Sequence, residues 1–181
     1  MTTLTTKVMR WGLAPAFVVA TLAAAAATTI GVYPAAATPA GFPDLSGYTD
    51  VTQDFASSNG RGETFAPSDG VECGLGMPPL PSQSLGASCW GTLPGLQNIP
   101  LDSNTKGDCD LGAIGSNPRG ISHYRGPCPA PTGAKVLQPG QKVSYRTITC
   151  GVAPGGVTAC LDTTDGQEHG FVLDPAGSWT F

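Results

Sequence analysis

After residue 37 the apolar residues come in short runs punctuated by glycine and proline, the pattern of strands joined by tight reversals. The C-terminal third shows it best. Cys150 and Cys160 flank Pro154-Gly155-Gly156. There proline presets φ and glycine accepts the positive φ of a tight turn, so the two thiols are expected opposite each other across a hairpin. Opposed residues of an antiparallel pair lie roughly 4.5–5.5 Å apart at Cα, within reach of a disulfide. Further reversals are expected at Gln138-Pro139-Gly140-Gln141, Asp165-Gly166 and Asp174-Pro175-Ala176-Gly177, and Lys142 to Val152 reads as one strand. Trp179 and Phe181 share one face of the last strand by the two-residue period and are expected to seal a core edge.

Upstream, Glu63 to Ala66, the turn Pro67-Ser68-Asp69-Gly70 and Val71 to Leu75 form a second hairpin candidate. Cys89-Trp90 follows a loop stiffened by Pro78, Pro79 and Pro81, and Cys73 is expected to pair with Cys89. Cys73-Gly74-Leu75 and Cys150-Gly151-Val152, each with a later partner cysteine, carry a faint hint of internal duplication. Thr92 to Pro131 shows almost no periodicity and reads as a long irregular loop, which needs a staple, here Cys109 to Cys128. Other pairings of six cysteines stay open. In the stretch before the first hairpin, Phe42, Leu45, Tyr48, Val51 and Phe55 recur every three or four residues. That spacing predicts a short helix around Gly47 to Phe55, with an extended strap as the alternative. Ser57 to Gly62 reads as a flexible joint.

The fold class that follows is mostly β: a small single-domain, disulfide-stapled antiparallel sheet with irregular Pro/Gly-rich loops and one short N-terminal helix. With 25 glycines and 17 prolines the composition agrees. At the N-terminus, Lys7 and Arg10 precede an uncharged apolar run, Trp11 to Val32, which ends in Ala35-Ala36-Ala37. This is the layout of a signal peptide cleaved after Ala37, giving a leader at 1–37, an arm at 38–62 and a stapled β domain at 63–181, with an uncleaved membrane anchor as the alternative, since the run is near the ~20 residues that span a bilayer. An even cysteine count in an exported chain reads as three disulfides formed in an oxidising compartment. The net charge of −4 gives no basic footprint, so no nucleic-acid partner is expected, nor membrane insertion once the leader is gone.

Several stretches together resemble a group of small exported mycobacterial and related actinobacterial proteins. They are the arm Phe42-Pro43-Asp44-Leu45, the Phe65 to Gly70 turn with Cys73 and Cys89, Ile148-Thr149-Cys150 and Gly156-Val157-Thr158-Ala159-Cys160. The most specific is the end motif, Gly170-Phe171-Val172-Leu173 through Pro175-Ala176-Gly177-Ser178-Trp179-Thr180-Phe181. The resemblance covers most of the chain after the leader. In that group proline usually stands directly before the Asp-Gly or Ser-Gly of the first turn, whereas here Pro67 precedes Ser68. The resemblance implies an envelope or culture-fluid location and a similar set of sequential cysteine pairs; it implies no activity.

Candidate chemistry is sparse. His123, within Ser122-His123-Tyr124-Arg125, and His169, after Glu168, are the only histidines. Each is a possible general base, although a solvated or backbone-bonded histidine is the ordinary case. There is no Gly-x-Ser-x-Gly elbow and no His-Glu-x-x-His. Asp102, Asn104, Gly107, Asp108 and Asp110 crowd oxygen ligands as calcium loops do, but Lys106 and Ala113 break the EF-hand pattern. The function expected is a secreted or envelope structural or interaction module without a cofactor. It would bind an unidentified envelope or extracellular partner through His123, Tyr124, Arg125 or Trp90. The alternatives are an envelope hydrolase using His123 or His169, or a calcium-stabilised module.

Overall fold

Alternating side chains and frequent glycine turns produce eleven strands in the computed structural model, which describes residues 38–56, 61–76, 85–117, 119–131 and 133–181. The expected leader, most of the joint at 57–62 and most of the proline-stiffened loop before Cys89 lie outside the described residues. The strands are β1 (Thr49–Asp50), β2 (Glu63–Ser68), β3 (Val71–Leu75), β4 (Ala87–Gly91), β5 (Cys109–Ser116), β6 (Arg119–Gly126), β7 (Gln141–Tyr145), β8 (Ile148–Val152), β9 (Thr158–Asp162), β10 (His169–Leu173) and β11 (Trp179–Thr180). They form two sheets rather than one, ordered β2-β3-β4-β5-β6 and β1-β7-β8-β9-β10-β11. Every neighbouring pair is antiparallel except β1 with β7.

One residue in two along each strand points between the sheets. Phe65, Val71, Cys73, Leu75, Cys89 and Ile114 of the first sheet meet Val143, Ile148, Cys150, Val152, Cys160 and Phe171 of the second in one buried cluster. Two disulfides lie inside it. Cys73 stands directly opposite Cys89 and Cys150 directly opposite Cys160, with Cα separations of 4.0 and 4.1 Å. The third bond, Cys109–Cys128, ties the start of β5 to the chain beyond β6.

The duplication hinted at in the sequence is a feature of the fold. β3 and β8 carry Cys-Gly at the same positions and the same succession of buried and half-buried residues. Phe65 and Val143 lie opposite Cys73 and Cys150 on the strands before. The meander β2 to β6 packs strand for strand on the meander β7 to β11. Their lead-in segments cross over: β1 pairs with β7, while the Ala66 N–H and carbonyl of β2 bond Lys135 and Leu137.

Three expectations about local structure are corrected. The predicted helix around Gly47 to Phe55 is β1 followed by a single 3-10 turn, Thr52–Asp54. Thr49 and Val51 donate to the carbonyls of Gly140 and Lys142, and Ser144 donates to the Thr52 hydroxyl at 2.8 Å. An open sheet edge offers these partners, whereas a two-turn helix would stand on its own costly nucleation. The predicted single strand from Lys142 to Val152 is β7 and β8, reversed at Arg146-Thr147, where Arg146 takes φ 56°. The predicted loop from Thr92 to Pro131 contains the two longest strands, β5 and β6, paired along their whole length.

The arm lies over the outer face of the second sheet. Phe42, Leu45 and Tyr48 pack there with Ala159, Val172, Val157 and Trp179 in a smaller cluster. Phe42 meets Phe181 edge-on, with ring centroids 5.5 Å apart. A Cβ at Gly151 would lie 3.0 Å from both Leu45 and Tyr48, so this glycine allows the close approach. Lys142 clips the arm by donating from Nζ to the Leu45 carbonyl at 3.0 Å. Trp179 and Phe181 therefore seal a face, with the arm as their cover, and not the rim of the main core. Hydrogen bonds from the Thr52 hydroxyl and amide hold the Asp50 carboxyl below its ordinary value.

Candidate functional site

Pairing of β5 with β6 sets Asp110 opposite Arg125 and Gly112 opposite His123, and so groups the polar side chains of this hairpin. Arg125 Nε lies 3.0 Å from Asp110 Oδ1, and His123 Nε2 lies 3.8 Å from the same oxygen. The other ring nitrogen of His123 faces the Ile99 carbonyl at 3.0 Å. The stretch after Ile99 continues along the edge of β6. Leu101 bridges to His123, Asp102 N–H donates to the His123 carbonyl, and Arg125 N–H donates to the Thr105 hydroxyl.

The oxygen-rich stretch is spent on its own turn. Asp102 Oδ1 accepts from both the backbone and side-chain amides of Asn104, and the Thr105 hydroxyl donates to the Asp102 carbonyl. Asp108 is exposed just before β5, and Asp110 faces Arg125. Among the described residues, no group of three or more His, Cys, Asp or Glu side chains could hold a metal ion.

His169 begins β10 with Nε2 2.8 Å from Asp165 Oδ2, while its Nδ1 is buried without a partner among the described residues. The Gln167 amide and then His169 hold the Asp165 carboxyl below its ordinary value. Thus each histidine has a carboxylate beside it. His169 has no ring nitrogen both unbonded and open to solvent, as a general base needs in order to take a proton from a substrate, whereas His123 Nε2, 3.8 Å from the Asp110 carboxylate, makes no hydrogen bond with any described residue.

The four candidate binding residues fall on two faces. Strand alternation turns His123 and Arg125 to one side of the first sheet and Tyr124 to the other. Trp90, whose neighbours Cys89 and Gly91 point inward, shares the outer side with Tyr124. Trp90 is 39% exposed. The edge of its six-membered ring lies against Gly74, where a Cβ would be 3.5 Å from Cη2 and 3.7 Å from Cζ3. Directly across the β3–β4 pair stands Glu72, half-buried, a residue that sequence reasoning passed over. The signal was present: bonding Cys73 to Cys89 as a directly opposed pair fixes the register, and one step along puts Glu72 beside Trp90.

The matching positions of the two meanders differ in cover. Gly151 on the second sheet lies under Leu45 and Tyr48 of the arm, whereas Gly74 on the first lies under Trp90. Beside the arm a cleft of about 480 Å³ opens among Phe42, Asp44, Lys142, Thr149 and Leu161. Lys142 is already engaged there by arm carbonyls.

No family model matches this chain, nor does any curated protein or any solved structure. Three disulfides mark a chain that folds outside a reducing cytosol. No helix of the described residues is long and apolar enough to cross a membrane.

Proposed function

We propose that this chain is an exported module of the cell envelope or extracellular medium, akin to the small mycobacterial proteins it resembles, and that it acts by binding. The observation that carries the reading is the setting of Trp90. A large aromatic side chain stands exposed one residue from a buried disulfide, on a strand locked into the sheet on both sides. Rigid aromatic anchors of this kind lose little entropy on binding and dominate recognition surfaces. The engagement of His169 on Asp165, with its other ring nitrogen buried, fits a non-catalytic role for that ring.

The hydrolase reading makes the opposite demand on a histidine ring. Wild-type protein and the His123→Ala/His169→Ala double variant, incubated with envelope polysaccharides and peptidoglycan fragments, are expected to release reducing ends and peptides at the same background rate. A wild-type rate well above background that the double variant loses, with its melting temperature unchanged, would replace binding by catalysis.

A further inference from the structure

Deepening that reading, and resting on it, we propose that Trp90 and Glu72 form a recognition site for an arginine side chain presented by a partner protein. Glu72 and Trp90 are paired directly across β3 and β4, so their Cα atoms lie about 5.5 Å apart, the distance of the pair next to a closely opposed one. Both side chains point outward, opposite to Cys73 and Cys89. Glu72 makes no hydrogen bond or ion pair with any described residue, and Gly74 leaves room for the rim of the indole, which is 39% exposed.

An indole face is the negative pole of the ring quadrupole, and the paired residue carries a carboxylate with no partner among the described residues, so both groups attract a cation. A guanidinium fits this pair better than an ammonium, because it is planar enough to stack on the ring and offers paired N–H groups to the carboxylate. An anionic ligand would meet Glu72 and a chain of net charge −4, and a neutral one would leave the carboxylate uncompensated. A partner protein is the source that suits the surroundings. Gly74, Ser88, Ala113, Gly115 and Ser122 share this outer face, and their short side chains make a shelf on which an extended backbone can lie.

The probe is the peptide acetyl-Gly-Arg-Gly-amide, titrated into the full chain and followed by the Trp90 indole NMR signal. A saturable shift is expected, with affinity falling about tenfold in Glu72→Gln and in Trp90→Ala. It should weaken for the lysine peptide and vanish for the citrulline peptide. Neither position is in the core, and Trp90→Phe, which keeps a weaker ring, should fall between wild type and alanine. No saturable shift, equal binding in Glu72→Gln, or equal binding of the citrulline peptide would overturn the site. A partner captured equally by wild type and Trp90→Ala would also overturn it while leaving a binding role intact at another surface. Turnover lost in the histidine variants would instead overturn the binding role itself.

Discussion

Replacing Cys150 and Cys160 together by alanine is expected to destabilise the protein by about 3 to 5 kcal/mol. The bond closes a loop between residues ten apart in sequence. The chain-entropy model gives roughly 3 kcal/mol for freeing such a loop in the unfolded state. A second contribution comes from the site. Both residues are fully buried in the cluster that joins the sheets, so deleting two sulfurs leaves a void between Val143 and Phe171, which flank the pair in register. At this chain length the loss should lower the melting temperature by about 10 to 20 °C. The matched control is Cys109→Ala/Cys128→Ala. That bond closes a longer loop between residues 19 apart, but Cys128 is exposed, so only the loop contribution is lost. Thermal unfolding followed by circular dichroism decides the matter. A larger drop for the 109/128 variant would mean that the core sulfurs contribute nothing through packing.

Asp162→Ala is expected to cost about 3 kcal/mol, because this carboxylate is a polar tie between the sheets. Asp162 lies on β9, only 2% exposed. The Ser116 hydroxyl of β5 donates to its Oδ2 at 2.7 Å and in turn accepts from the Ala87 amide at 2.9 Å. Its other oxygen accepts the Thr164 amide at 3.0 Å. Truncation leaves the buried Ser116 hydroxyl without its carboxylate acceptor and facing a void, which costs more than the bond itself contributes. Asp162→Asn keeps the shape and one acceptor and should lose about half as much. In urea unfolding, combining Asp162→Ala with Ser116→Ala should lose clearly less than the sum of the single losses, by roughly 1 to 2 kcal/mol. An Asp162→Ala variant within about 0.5 kcal/mol of wild type would show that the tie is solvated in solution.

The parts of the fold legible in the sequence are those in which the backbone demanded a particular residue. Gly155 and Gly156 take φ 85° and 82° between the bonded cysteines, and Gly70, Gly140 and Gly166 do the same at the other expected reversals. The turn at Arg146-Thr147 left no such mark. Arg146 adopts a left-handed φ without being glycine. Its neighbour is held from outside the hairpin, where Thr163 N–H donates to the Thr147 carbonyl and the Thr147 and Thr164 hydroxyls meet at 2.9 Å.

β5 and β6 were hidden for the opposite reason. Gly112, Ala113, Gly115 and Gly120 blank out the alternation, because the apolar bulk is supplied from elsewhere. Leu96 and Leu93 occupy the space a Cβ at Gly112 would need, at 2.9 and 3.0 Å. The arm misled through its spacing. Phe42, Leu45 and Tyr48 serve one core and Val51 and Phe55 another, so a three-to-four residue rhythm arose from a strap crossing a sheet edge. Of the candidate site, Trp90 was visible as an aromatic residue beside a cysteine. Glu72 was not, since a carboxylate on a hairpin means little until the register names what stands opposite.

Export and the three sequential disulfides are tested together by the intact mass of protein recovered from culture fluid and from membranes, before and after reduction. The expected result is a chain in the fluid that begins at Thr38 and gains about six mass units on reduction, roughly two per bond. Full-length chain confined to the membrane fraction, or a mass that reduction leaves unchanged, would contradict it.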